Sequence, residues 1–167
     1  KIPASITLAQ GLLESAAGTS ELARKSNNHF GIKCHNSWEG KRVYHDDDEK
    51  GECFRKYRNP KESYEDHALF LTKSPRYEKL FKLDITDYKV WAHGLKRCGY
   101  ATDKAYASKL IQTIELYGLH RYDGKGLPRM PKGYEYHDMD SKWGLPYVVP
   151  RDGDTQRLIA REFELYA

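Results

Sequence analysis

Glu14 is the first residue whose type and position suit chemistry, because it is a carboxyl near the end of a mostly apolar helix pattern. It directly follows Leu12 and Leu13. Burial and the negative end of a helix dipole both raise a carboxyl pKa, as a general acid working near neutral pH requires. The alternative is an exposed glutamate on the polar face of that helix, beside Gln10 and Ser15. The pattern alone leaves both interpretations open.

A run of acidic residues is the second candidate. Asp46, Asp47, Asp48 and Glu49 follow one another in a short polar segment. Like charges at a tip repel each other, and such a cluster could bind calcium or supply a catalytic base. The alternative is a solvated turn without a chemical role.

Tyr100 is the third candidate, because it stands just before a predicted helix, where its ring either faces a cleft or packs in the core. The histidines His29, His35, His67 and His93 share no helical face, which favours core or surface roles for them. The chain contains no C-x-x-C pair, zinc-spaced cluster, Walker loop or dinucleotide fingerprint. We therefore expect neither a metal nor a cofactor.

Hydrophobic periodicity predicts helices on both sides of a region that has no helical period. That region extends from residue 32 to 57, and its polar stretch at 46–51 is typical of a hairpin tip, so we expect a small β-lobe there. A first helix is predicted from Pro3 to Gly18, which is a helix stop signal, and a second from Ser20 to Lys25. Four more are predicted after Pro60, and the clearest of these extends from Asp103 to Tyr117.

The three cysteines allow one disulfide bond. Cys34 and Cys53 flank the hairpin-like segment, and a bridge between them would contribute about 3 kcal/mol by loop-closure arguments. The alternative is that these two residues and Cys98 are all buried or free thiols. The sequence leaves the pairing open.

The composition is that of a globular protein. Of the 167 residues, 39% are hydrophobic and 13% aromatic, which excludes a disordered chain. No stretch approaches the roughly 20 apolar residues of a membrane-spanning helix. The net charge is only +4, and the 28 basic residues are interspersed with acids, which argues against nucleic-acid binding.

The composition changes near residue 121. Four of the seven prolines lie between Arg121 and Pro150, where no apolar period is present, which is typical of a linker. A strand-like and then a helix-like pattern follow. We therefore predict a folded domain at 1–122, a linker at 123–146 and a further segment at 147–167. The first residues show no signal-peptide pattern and begin directly in a helix, so we expect a longer precursor.

Several short motifs occur in an order that resembles a known family. They are Ala9–Ser15, Asn27–Lys33, Cys53–Tyr57, Ser63–His67, Gly99–Asp103, Tyr106–Ala107 and Lys109–Leu110. Over residues 2–122 they resemble bacterial peptidoglycan N-acetylglucosaminidases of glycoside hydrolase family seventy-three, which includes flagellar rod-cap hydrolases and autolysins. The segment at 147–167 is similar to the first half of a LysM module, which binds N-acetylglucosamine-containing glycans.

The resemblance implies an α+β, lysozyme-like fold with a mainly helical body and a small β-hairpin lobe flanking the cleft. By the same resemblance, Glu14 is the general acid and Tyr100 lies near the N-acetyl group. The second carboxylate of the family corresponds to an aspartate here, Asp46 in the first place and Asp47 in the second.

The resemblance also implies the ligands and the reaction. Asn28, Phe30 and Tyr64 are candidate substrate-binding residues, and we expect cleavage of the β-1,4 bond after N-acetylglucosamine. The alternatives are a muramidase or lytic transglycosylase on the same fold, or a non-catalytic glycan-binding module. The mechanism is either inversion or assistance by the N-acetyl group of the substrate. We further expect a monomer, exported to the periplasm or cell envelope, whose partner is the glycan strand of peptidoglycan.

Overall fold

The computed structural model describes residues 1–35, 38–47 and 49–123. The predicted LysM-like segment, and the predicted linker apart from Asp123, lie outside these residues. Within them, no helix is long and apolar enough to cross a membrane.

The described residues form a mainly helical body and a small antiparallel hairpin, which confirms the predicted α+β class. In chain order the elements are α1 (Ala4–Glu14), α2 (Glu21–Ser26), β1 (Arg42–His45), β2 (Glu52–Arg55), α3 (Pro60–Lys73), a first 3₁₀ helix (Pro75–Lys82), α4 (Tyr88–Arg97), α5 (Tyr106–Leu116) and a second 3₁₀ helix (Leu119–Tyr122).

The core of the body lies where α5 packs against α1 and α4. Each of these helices contributes apolar residues at spacings of three and four, which lie on one face of a helix. Burying one large aliphatic or aromatic side chain contributes about 1.5–3 kcal/mol. The largest fully buried apolar side chains of this core are Ile6, Leu71, Tyr77, Trp91, Leu95, Leu110 and Ile114.

A carboxylate from the other end of the described chain caps the start of α1. Pro3, which precedes the helix, has no side-chain acceptor. Asp123 supplies one: its Oδ1 accepts from the backbone N of Ser5 at 2.8 Å and its Oδ2 from Ser5 Oγ at 2.6 Å. A negative charge here also suits the positive end of the helix dipole. The cap fixes one end of the helix that carries Glu14.

The other end of α1 differs from the sequence-based prediction. The helix ends at Glu14 and not at Gly18, because Ala16 and Ala17 adopt left-handed backbone conformations with φ of 48° and 54°. Ser15 stabilises this turn: its hydroxyl donates to the Gly11 carbonyl and accepts from the Gly18 N–H. Glu14 is therefore the last helical residue.

Strand β2 is the central segment of the β-lobe. Val43 of β1 is paired with Phe54 of β2, and the Phe54 side chain is buried. On the other edge of β2, the Cys34 N–H donates to the Cys53 carbonyl at 2.8 Å, and Arg55 N–H donates to Ile32 at 3.0 Å.

A disulfide bond also joins this segment to β2. Cys34 and Cys53 are bonded, with a Cα–Cα distance of 5.5 Å, and Cys98 is free. Of the two interpretations that the sequence left open, the structure confirms the disulfide.

Candidate active site

An open cleft of about 600 Å³ lies between the helical body and the β-lobe. The C-terminal end of α1, the N-terminal part of α5 and the turn before it line the cleft on the helical side, with Phe70, Arg76 and Tyr77. Residues 30–33 and 35 line it from the segment that pairs with β2. Three of the sequence-predicted site residues, Glu14, Phe30 and Tyr100, line it together. Charged and tyrosine side chains also line it, namely Lys33, Arg76, Tyr77, Asp103, Tyr106 and Lys109.

The Glu14 carboxyl lies in this cleft, at the C-terminal end of α1. Glu14 is an exposed residue, yet the protein atoms around its carboxyl displace enough water to raise its pKa. A hydrogen bond from Tyr106 acts in the opposite direction, and the negative charge of Asp47 raises the pKa further. The net direction is upward, as a group that must hold a proton near neutral pH requires.

Tyr106 holds the Glu14 carboxyl in place. Its hydroxyl donates to Glu14 Oε1 at 3.2 Å, and Gln10 Nε2 donates to the same hydroxyl at 3.0 Å. Gln10 and Glu14 are one helical turn apart on α1, so a single tyrosine from α5 reaches both. Burial is the main cause that raises the pKa of Tyr106, and the charge of Glu14 raises it further. The hydroxyl therefore remains a hydrogen-bond donor.

The sequence did not assign Tyr106 a role in the site, although its motif was part of the resemblance. One signal could have found it. Tyr106, Leu110 and Ile114 recur at four-residue spacing on the buried face of α5. A hydroxyl at such a position needs a hydrogen-bond partner.

Tyr100 lies beside Tyr106, with the two rings stacked at 5.6 Å and an angle of 25°. Its hydroxyl is 3.2 Å from Nε2 of His67, a fully buried histidine of α3. The His67 ring in turn stacks on Phe30 at 3.9 Å. Burial lowers the pKa of His67 to about 3, so the ring is neutral at physiological pH. His67 is thus a core residue that also contacts the cleft tyrosine.

The two aspartates of the hairpin tip have different surroundings. Asp46 Oδ1 accepts from the Gly51 N–H at 2.6 Å and so stabilises the turn. Asp47 is exposed, and its charge is close enough to Glu14 to affect the pKa of that carboxyl. Neither lines the cleft in the described part of the chain.

Of the three candidate substrate-binding residues, only Phe30 lines the cleft. Asn28 is buried: its Oδ1 accepts from Ile32 N, and its Nδ2 donates to the carbonyls of Ile32 and Arg55. It therefore fastens the cleft segment to β2.

Tyr64 lies behind the cleft wall. Its ring meets Phe30 edge-on at 4.8 Å. Its hydroxyl lies against Gly11 of α1, where an added Cβ would be only 2.3 Å from Oη. Burial raises the pKa of Tyr64 to about 12. The structure therefore places Tyr64 as packing support for Phe30 and α1.

The described ranges contain no group of three or more His, Cys, Asp or Glu side chains that could hold a metal ion.

A helical body with a hairpin lobe, and between them a cleft lined by a glutamate with a raised pKa, are the features expected of a glycoside hydrolase domain. Residues 1–119 match the glucosaminidase family, described as mannosyl-glycoprotein endo-beta-N-acetylglucosaminidase. The chain belongs to this family.

By their names, similar proteins are a glucosaminidase and peptidoglycan hydrolases. Exo-glucosaminidase LytG of Bacillus subtilis is 43% identical over 130 residues, which are 71% of this chain and 45% of LytG. Peptidoglycan hydrolase FlgJ of Vibrio parahaemolyticus is 37% identical over 119 residues, which are 65% of this chain and 38% of FlgJ. The chain thus spans less than half the length of these curated relatives.

Solved structures agree with this grouping. The peptidoglycan hydrolase of Sphingomonas sp. A1 has a TM-score of 0.62 at 31% identity, covering 78% of this chain and 87% of that one. The glycoside hydrolase domain of Salmonella typhimurium FlgJ has a TM-score of 0.58 at 33% identity, covering 68% and 74%.

Proposed function

We propose that this domain is a peptidoglycan hydrolase that cleaves the β-1,4 bond after N-acetylglucosamine, with Glu14 as the general acid. The observation that carries the proposal is the Glu14 carboxyl in an open cleft, with a raised pKa and a tyrosine donor on one oxygen. The names of the similar proteins LytG and FlgJ support the substrate.

Glu14 would protonate the glycosidic oxygen as the bond breaks. Its raised pKa favours the protonated form that this step requires. Once the proton has left, Tyr106 donates to the new carboxylate, and hydrogen bonds to a charged acceptor are worth about 1.5–3 kcal/mol. Gln10 holds the tyrosine in place for both states.

We favour assistance by the substrate's N-acetyl group over direct inversion. Among the described residues, Asp103 is the other carboxylate that lines the cleft besides Glu14. Its Oδ2 is 2.7 Å from Nζ of Lys109, with which it forms an ion pair. Tyr100 is well placed to orient an N-acetyl group, because His67 fixes its hydroxyl and Tyr106 its ring. Asp47 would then stabilise developing positive charge from the hairpin tip.

Two alternatives use the same glutamate. A muramidase would leave N-acetylmuramic acid at the reducing end, and a lytic transglycosylase would leave anhydro-muramyl ends. Neither alternative has an observation of its own in this cleft.

Mass spectrometry of muropeptides released from purified peptidoglycan tests the proposal. Reducing-end N-acetylglucosamine is expected, and anhydro-muramyl ends or no release at all would contradict it. Glu14→Gln should abolish release, and continued release would show that the acid is assigned wrongly. Turnover of Asp46→Ala and Asp47→Ala should then differ, with the larger loss at Asp47.

The stereochemistry of the fresh product separates the two mechanisms. Substrate assistance retains the β anomer, whereas a water activated by a second carboxylate inverts it. Proton NMR within the first minutes of reaction distinguishes the anomers, and an initial α product would exclude substrate assistance.

For the rest of the chain, we propose a catalytic domain at 1–122, a linker at 123–146 and a partial LysM module at 147–167, acting as a monomer at the cell envelope. Limited proteolysis should cut within the linker and leave a resistant fragment that begins at the N-terminus. Cuts spread over residues 1–122 would contradict this division.

A further inference from the structure

The cationic side chains of the cleft differ in whether they already pair with an acidic side chain. Lys33 Nζ is 2.6 Å from Glu52 Oε1, and Lys109 Nζ is 2.7 Å from Asp103 Oδ2. Arg76 lines the same cleft and is exposed, yet it makes no ion pair with any described residue. Its charge is therefore available to a ligand in the cleft.

Local packing holds the Arg76 guanidinium at the edge of the cleft. Its Cζ lies 5.7 Å from the ring centroid of Tyr77, the next residue along the chain. On the other side it lies against Gly99, where an added Cβ would be 2.9 Å from Nη2. A side chain at position 99 would thus displace the guanidinium, so the glycine allows Arg76 to keep this position.

A row of aromatic rings connects this position with the acid. The Tyr77 ring is 6.2 Å from Tyr100, which stacks on Tyr106, the residue that donates to Glu14. Along this row, the rings of Tyr77, Tyr100 and Tyr106 separate Arg76 from Glu14. A group bound there belongs to a neighbouring part of the substrate.

We propose that Arg76 binds a carboxylate of the stem peptide carried by the peptidoglycan strand. This inference rests on the proposed function. In a substituted strand, the lactyl carboxyl of muramic acid is consumed by the amide bond to the peptide, so the free carboxylates are those of the peptide. The planar, permanently charged fork of arginine matches a carboxylate with two parallel hydrogen bonds.

Binding to insoluble, teichoic-acid-free peptidoglycan, measured by co-sedimentation, tests the inference without turnover. The parent is Glu14→Gln, so that the ligand stays intact. Adding Arg76→Gln should weaken binding about tenfold, in the range of a hydrogen bond to a charged group. Arg76→Lys keeps the charge without the fork and should give an intermediate loss. The matched control is Arg24→Gln, on the exposed face of α2 outside the cleft, which should change nothing.

The same peptidoglycan with its carboxyls converted to methylamides identifies the partner. The parent should bind this material about tenfold more weakly, and Arg76→Gln should have no further effect, because the charged group that it contacts is gone. Equal binding of parent and Arg76→Gln on native material would overturn the inference, as would an undiminished effect on the amidated material. Thermal unfolding of each variant shows that it is folded.

The outcomes separate this inference from the proposed function. If the Arg76 effect is present but the active enzyme releases products other than reducing-end N-acetylglucosamine, the proposed bond is wrong and the carboxylate contact stands. If the correct product is released and the Arg76 effect is absent, only the inference fails. A parent that does not bind peptidoglycan at all would overturn both.

Discussion

Replacing Cys34 and Cys53 together by serine removes the covalent link between the cleft wall and strand β2, and we expect a large loss of stability. Cys34 lies in the segment that forms one side of the cleft, and Cys53 lies in β2. Two backbone hydrogen bonds across the same edge of β2 remain in the variant. The loss therefore measures the effect of the bridge on the unfolded chain.

The size of the effect follows from the sequence separation of 19 between the two cysteines. In the loop-closure model, a closed loop of this length lowers the entropy of the unfolded chain enough to stabilise the fold by about 3 kcal/mol at 25 °C. With a urea dependence of about 1–3 kcal/mol/M for a small domain, the unfolding midpoint should fall by roughly 1–3 M.

Urea unfolding followed by circular dichroism provides the measurement, with Cys98→Ser as the matched control. Cys98 is half-buried and unbonded, so its replacement should leave the midpoint nearly unchanged. When the unreduced, unsubstituted protein is unfolded in denaturant, titration with a thiol reagent should find one free thiol. Three free thiols, or a loss of less than about 1 kcal/mol in the double variant, would refute the reasoning, because the loop-closure model predicts about 3 kcal/mol.

Three further predictions concern the site. Tyr106→Phe removes the donor that lowers the pKa of Glu14, so the alkaline limb of the pH profile of kcat/KM should move to higher pH; an unchanged limb would contradict this. Glu14→Gln should raise the thermal midpoint at pH 7 but not at pH 4. The pKa of Glu14 is raised above its ordinary 4.5 in the folded protein, so the protonated carboxyl is the form that the fold favours. This contribution to stability is present at low pH and is lost as the pH rises through the folded pKa, whereas glutamine stays neutral at both pH values. Equal midpoints at pH 7 would argue against a raised pKa. His67→Phe should lower kcat more than it raises KM, and His67→Gln, which can restore a donor near Tyr100, should recover part of the loss; equal activity of the two variants would show a purely structural role.

Local features of the sequence predicted the elements well. Ser20 precedes the apolar pattern of α2 as a residue type that favours helix N-caps, and in the structure its hydroxyl accepts from Ala23 N. The apolar spacing of α5 predicts that Ala107, Leu110, Ile111 and Ile114 face inward. All are buried in the structure except Ile111, which is partly buried against the core. Such signals act within one or two helical turns, because capping and amphipathic burial depend on neighbours three or four residues away. The candidate acid Glu14 was found in the same way, from its place in a helix.

The end of α1 shows where local signals stop. The prediction that Gly18 ends the helix was wrong, because glycine marks a position able to adopt a left-handed conformation but does not require the helix to continue up to it. Here two alanines take that conformation first, and Ser15 bonds both sides of the turn. Glu14 thereby becomes the terminal residue of the helix.

Contacts between distant residues complete the site, and the sequence alone could not supply them. The bond from Tyr106 to Glu14 spans 92 residues, and the cap of α1 by Asp123 spans 118. The different surroundings of Asp46 and Asp47, and the position of His67 behind Tyr100, likewise depend on packing between separate elements. Residue type and spacing determined that an acid, a tyrosine and a hairpin were present. Only the packing of α5 against α1, which brings a buried hydroxyl to the carboxyl, decided what surrounds the acid, because that contact has no local signal in the chain.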